Sequence, residues 1–143
     1  MEDTFNLERF TDAQFSTYAT ALHEIKKGRK TTHWMWFVFP QYKGLGRSAT
    51  SVEYAVKSKQ EAIAYLNHPT LRKRLLEITN VLLALKHKSA YDVFGEPDDL
   101  KLKSSMTLFD TVQSENSVFD EVLEKYFGGE RCRNTLNVLT LDS

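Results

Sequence analysis

Four groups of residues have types and spacings suited to chemistry. The first runs from His33 through Trp34, Met35, Trp36, Phe37, Val38, Phe39 and Pro40 to Gln41, and holds both tryptophans of the chain. Each indole needs a large apolar surrounding and an acceptor for its N–H, so two of them so close imply a specified environment. In a pocket wall, Trp34 or Trp36 would stack on a planar ligand while His33 or Gln41 fixes its polar edge. The competing reading is core. Trp34, Trp36 and Val38 alternate with Met35, Phe37 and Phe39, so both faces are apolar, as in a segment buried on both sides. His33 and Gln41 flank the apolar run, where it can surface.

The second group is the loop Lys43-Gly44-Leu45-Gly46-Arg47-Ser48, placed just before a helix. Gly44 and Gly46 permit close backbone approach, and free N–H groups at a helix start can hold an anion, with Arg47, Arg29 and Lys30 adding charge. The third glycine of a dinucleotide fingerprint is missing, and a tight turn with surface basic residues explains the loop equally. The third group is Ser51-Val52-Glu53-Tyr54. A carboxylate one turn inside a helix beside an anion site can act as general acid or base. This segment resembles the Val-Glu-containing motif of the N-glycosidases that cleave phosphorylated riboflavin-pathway intermediates and ADP-ribose-type linkages. That resemblance implies that Glu53 stabilises positive charge developing on ribose, or activates water. A solvated helix-face glutamate is the structural alternative. The fourth group is Lys101 and Ser105, which share a helix face at i,i+4. They would point into a polar cavity, or Ser104 and Ser105 would let helices pack closely; a Ser–Lys nucleophile lacks a visible oxyanion partner.

The elements that position these groups are marked by helix caps. Thr11-Asp12-Ala13-Gln14 reads as a capping box with Phe10 and Phe15 as its staple, and leads a helix through Phe15, Tyr18, Leu22 and Ile25 to Gly28. Thr31 to Gln41 reads as an extended buried segment or short strand. A helix opens between Ser48 and Ser51 and runs to Val56. Ser58-Lys59-Gln60-Glu61 is a second capping box, for a helix to Leu66. His68 enters the next helix, with Pro69 at its first position. Leu71, Leu75, Ile78, Leu82 and Leu85 give that helix the clearest amphipathic pattern in the chain. One short turn spans Ser89 to Phe94 and closes at Gly95. Asp98 is placed to cap a helix to Val112, and Asn116 the last long one, with Phe119, Val122, Leu123 and Tyr126 inward and Gly128 as stop.

Composition bounds the function. The 143 residues suit one domain spanning 1–143, with 41% apolar and 27% charged residues. Nineteen basic and 19 acidic residues cancel, which removes any global attraction to nucleic acid or anionic membrane. No apolar run suits a membrane span and the N-terminus lacks a signal-peptide pattern, so the expected location is cytoplasmic. One cysteine, Cys132, excludes an internal disulfide. His23, His68 and His87 have no metal-type spacing with each other or with Cys132, so neither zinc nor a cofactor is expected.

The chain as a whole resembles the domain-of-unknown-function 1810 family. The likeness lies in His33 to Gln41 followed by Gly44-Leu45-Gly46-x-Ser48, and in Glu61-Ala62-x-x-Tyr65-Leu66-x-His68-Pro69. It continues in Lys101-Leu102-x-Ser104-Ser105-Met106-Thr107-Leu108-Phe109 and in Thr135-Leu136. It implies a compact, mostly helical single domain and no particular reaction. Some members carry the label calpastatin, which none of these residues supports; Cys132 stands where many members have an acidic residue. Together these readings give an all-α, multihelical fold with one irregular aromatic segment. Its pocket joins that segment, the glycine loop and the Lys101 helix, and takes a small anionic ligand such as a nucleotide or phosphosugar. The sharper version is N-glycosidic hydrolysis centred on Glu53. The alternative is a non-catalytic protein-interaction module whose aromatics are core.

Overall fold

The computed structural model describes residues 3–113 and 117–142. They form ten helices and no strand, so the fold is all-α. Where a cap is local in sequence, the helix begins as expected. Ser58 Oγ accepts from the Glu61 N–H (3.0 Å) and starts α5, Lys59–Asn67. His68 caps α6, Pro69–Ala84, through Nδ1 and the Leu71 N–H (3.3 Å). Ser89 and Asp92 form a capping box at α7, Ala90–Phe94, which ends at Gly95. Ser48 caps α4, Ala49–Tyr54.

Other expectations are corrected by the structure. The first helix, α1, is Glu8–Phe15, opened a turn early by Asp3, whose carboxylate accepts from the N–H groups of Leu7 (2.7 Å) and Glu8 (2.8 Å). Thr11 therefore lies inside the helix, its hydroxyl donating to the Glu8 carbonyl, and no staple forms: Phe10 is buried while Phe15 is 86% exposed. The chain breaks at Ser16 and Thr17 before α2, Tyr18–Lys26. The aromatic segment is not a strand: it contains one helical turn, α3, Met35–Val38, stopped before Pro40. Helix α4 ends at Tyr54, because Val56 leaves to form a parallel bridge with Tyr42. Helix α8, Asp98–Val112, starts at Asp98 without a side-chain cap; the Asp98 carboxylate instead meets Lys30 (2.8 Å) and Lys101 (3.5 Å). Helix α9, Val118–Phe127, is capped by Ser117; Asn116 lies outside the described residues. A last helix, α10, Arg133–Leu141, was not expected.

Helix α8 is the hub, packed on α5, α7, α9 and α10. It is buried almost all round, from Leu102 through the run Ser104–Phe109, which is how a central helix must be. Its small residues admit close neighbours: Ser104 Oγ lies 2.8 Å from Thr135 Oγ1 on α10. The amphipathic α6 turns Leu71, Leu75, Ile78 and Leu82 to the same core. Among the described residues no helix is long and apolar enough to cross a membrane.

Candidate binding site

The two tryptophans part company. Trp34 is fully buried against Phe39 and Phe94, and its Nε1–H donates to Glu24 Oε1 at 2.9 Å. Glu24 accepts three more bonds, from the Thr31 N–H, the Thr32 N–H and the Thr32 hydroxyl (2.8, 3.1 and 2.5 Å). Burial opposes charge on this carboxylate, but the four donors outweigh it and hold its pKa down at about 2. Trp34 is thus a core residue, anchored by a carboxylate, and lines no cleft. Trp36 is half-exposed and does line one. Trp34 precedes α3 as its N-cap, with a non-helical backbone (φ −144°, ψ 4°), whereas Trp36 lies within the helical turn.

The cleft at Trp36 encloses about 280 Å³ and is mainly apolar. One wall is the Trp36 indole; the other is Val52 and Tyr54 of α4. The Tyr54 ring is held by Phe37 (5.3 Å between centroids) and Phe10 (6.0 Å). The floor and rim come from two segments joined by the Tyr42–Val56 bridge. The Val56 N–H donates to the Gln41 carbonyl (2.8 Å) and the Lys43 N–H to the Val56 carbonyl (2.9 Å). Tyr42 and Val56 are buried, and Tyr42 lines the cleft together with Gln41, Lys43, Ala55 and Lys57 of the same two segments.

Arg9 braces this floor from behind. Its guanidinium donates to the carbonyls of Glu53 (2.8 Å) and Ala55 (2.9 Å) and to the Glu61 carboxylate (2.6 Å), and also to Phe5 and Asn6. The Arg9–Glu61 pair is almost fully buried. From the other side α10 reaches the loop. The Tyr42 hydroxyl donates to Asp142 Oδ2 (2.5 Å), Lys43 Nζ lies 3.4 Å from the same oxygen, and Gly44 faces Val138. Desolvation and this bond raise the Tyr42 pKa to about 12, and the bond lowers that of Asp142.

Both loop glycines have reasons to be glycine. Gly44 has φ +90°, and a Cβ on Gly46 would lie 2.6 Å from Ser51 Cβ. Gly46 therefore serves packing against α4 as well as the cleft lining. The free helix-start N–H groups imagined for this loop are reduced by Ser48, whose Oγ accepts from the Ser51 N–H (3.1 Å). Ser48 and Arg47 are exposed and outside the lining, as is His33.

Lys101 sits over the Trp36 ring at 5.3 Å, stacked on the cleft's wall without lining its interior. Ser105, one turn on, is fully buried without a hydrogen-bond partner for Oγ, so it belongs to the interior of α8. Glu53 is exposed and borders the shallow grooves around Arg9, next to the cleft but outside its lining, so its carboxylate does not face Trp36. Trp36, Gln41, Gly44 and Gly46 are therefore the predicted residues that the structure brings together.

Sequence reasoning missed Lys57, because only the Tyr42–Val56 bridge brings it beside Lys43. It also missed Glu24, although the need of Trp34 for an N–H acceptor was a signal that one existed.

No curated protein matches the chain. A solved structure does: the conserved hypothetical protein Rv1873 from Mycobacterium tuberculosis is 46% identical, with a TM-score of 0.95. The match covers 96% of this chain and 99% of that one. The model of the protein family of unknown function DUF1810 matches residues 4–139. With its aromatic motif, glycine loop and helical arrangement in place, the chain belongs to the DUF1810 family.

Proposed function

We propose that this is a cytoplasmic protein that binds a small, partly planar, anionic ligand of nucleotide or phosphosugar type in the Trp36 cleft. The observation that carries the reading is the composition of the lining: an accessible indole and two tyrosines beside two lysines, an amide and glycine backbone. Apolar walls with a few convergent polar groups are the usual make-up of a small-molecule site. Trp36 supplies a stacking surface, Gln41 a donor and acceptor for a polar ring edge, and Lys43 and Lys57 the charge complement. No carboxylate is among the lining residues, so the reading is of binding rather than N-glycosidic hydrolysis through Glu53.

The test is a thermal-shift screen against nucleotides, nucleosides and sugar phosphates, since a ligand bound only by the folded state raises its apparent stability. The expected result is a shift with an aromatic anionic ligand that Trp36→Ala removes and Phe15→Ser, far out on α1, leaves intact. No shift anywhere in the panel would reject the proposal in favour of a protein-interaction module.

A further inference from the structure

Resting on that reading, we infer that the cleft recognises a phosphomonoester carried by a single ring system, with Lys43 and Lys57 as a two-pronged clamp for the phosphate. The bridge between Tyr42 and Val56 fixes this arrangement. Lys43 and Lys57 are the next residues on two paired segments, whose backbones run about 4.8 Å apart. Both lysines line the cleft, as does Tyr42 between them and the core, with the Lys43 ammonium 5.9 Å from the Tyr42 ring centre. Two ammonium groups lining one cleft match a group of charge about −2, which a phosphomonoester carries near neutral pH; a carboxylate or a phosphodiester offers only one negative charge.

A carboxylate of the protein already tests this rim. Asp142 Oδ2 lies 3.4 Å from Lys43 Nζ, longer than a direct ammonium–carboxylate bond of about 2.8 Å. Lys43 and Asp142 are both well exposed, so the pairing is weak and Lys43 can turn to an incoming anion. Lys57 has one long bond to the Ala55 carbonyl (3.3 Å) and no ion pair among the described residues.

The volume limits the rest of the ligand. At about 280 Å³ the cleft lies at the small end of ligand pockets, which run from roughly 300 to 1,000 Å³. It accommodates one ring against Trp36 and one phosphate at the rim. A dinucleotide or ADP-ribose would leave its second half in solvent. The preferred ligand is thus of mononucleotide size or below, with its phosphate terminal.

The two indole N–H signals in a heteronuclear NMR spectrum give a direct assay, because Trp36 lines the cleft and Trp34 is sealed in the core. Titration with adenosine monophosphate and with phenyl phosphate is expected to move the Trp36 signal and leave that of Trp34. Adenosine should bind from about twofold to about thirtyfold more weakly than its monophosphate, since each exposed lysine contributes up to about fivefold. The K43Q/K57Q double variant should abolish this difference. Monophosphate affinity should rise as pH passes about 6, where the second phosphate proton leaves. If adenosine and its monophosphate bind Trp36 equally, the clamp is wrong and the binding cleft stands. If ADP-ribose binds more tightly than the monophosphate, the terminal-phosphate and size limits are wrong. If none of these compounds moves the Trp36 signal, both the clamp and the cleft reading fall.

Discussion

Trp34 and Trp36 are two residues apart and lead different lives. Trp34 is sealed, its N–H satisfied by a carboxylate that is itself held by four donors. Trp36 keeps one face toward a cleft, with a lysine over its ring. The same residue type is closed into the core in one place and lines a cleft in the other. Trp34 stands just before the single helical turn of α3, as its N-cap, and Trp36 within it. An aromatic motif read as one unit is therefore two devices.

The comparison is broken most severely at Trp34. Trp34→Ala should cost about 3–5 kcal/mol in unfolding free energy, as expected for a buried large aromatic. A denaturant titration giving less than about 1 kcal/mol would contradict its core role. Glu24→Gln comes next, at about 1–3 kcal/mol, because it weakens a fully used buried acceptor.

Glu24 also predicts a pH dependence. Its folded pKa, about 2, lies below the ordinary 4.5, so its contribution is complete above about 4.5 and is lost as pH falls toward 2. Acid unfolding curves of Glu24→Gln should accordingly be flatter than wild type in that window; equal slopes would show that the four-donor cage does not matter.

Trp36→Ala should have the opposite profile. A stability loss of only about 1–2 kcal/mol is expected for a half-exposed ring, together with loss of ligand response. Should its melting temperature fall as far as that of Trp34→Ala, the distinction between the two indoles would disappear. Lys101→Met, which removes the cation over Trp36, should cost no more than about 1 kcal/mol. The smallest effect belongs to Asp142→Asn. By freeing Lys43 it should tighten anion binding by roughly two- to fivefold, in keeping with an exposed ion pair. Calorimetry finding weaker binding instead would mean that Asp142 positions Lys43 rather than competing for it.

The legible parts of the molecule were the ones decided within a few residues. Ser58, Ser89 and the His68–Pro69 pair announce their helices because the cap and the N–H it satisfies are neighbours. The hidden parts depend on distant partners. The early exit of Val56 to meet Tyr42 shortened α4, whereas Asp3, which moved the start of α1, is a local cap four residues from Leu7 that the capping box at Thr11 obscured. Helix α10 has modest local signals and gains its place by packing Thr135 and Leu139 inward. The same applies to the cleft. Trp36, Gln41, Gly44 and Gly46 lie in one stretch and were found together, whereas Lys57 joins them only through a bridge that no local pattern reveals. Ser105 and Lys101 share a face as their spacing required, yet the burial of α8 leaves one in the interior and the other against Trp36.

The bond between Tyr42 and Asp142 spans 100 residues of chain. During synthesis the aromatic wall, the glycine loop and the bridge to Val56 emerge early, long before α10 exists to brace them. The loop that carries Lys43 acquires its last support only when residues 133–142 have left the ribosome and docked. Nascent chains stalled before that point should hold the cleft's residues without its final shape.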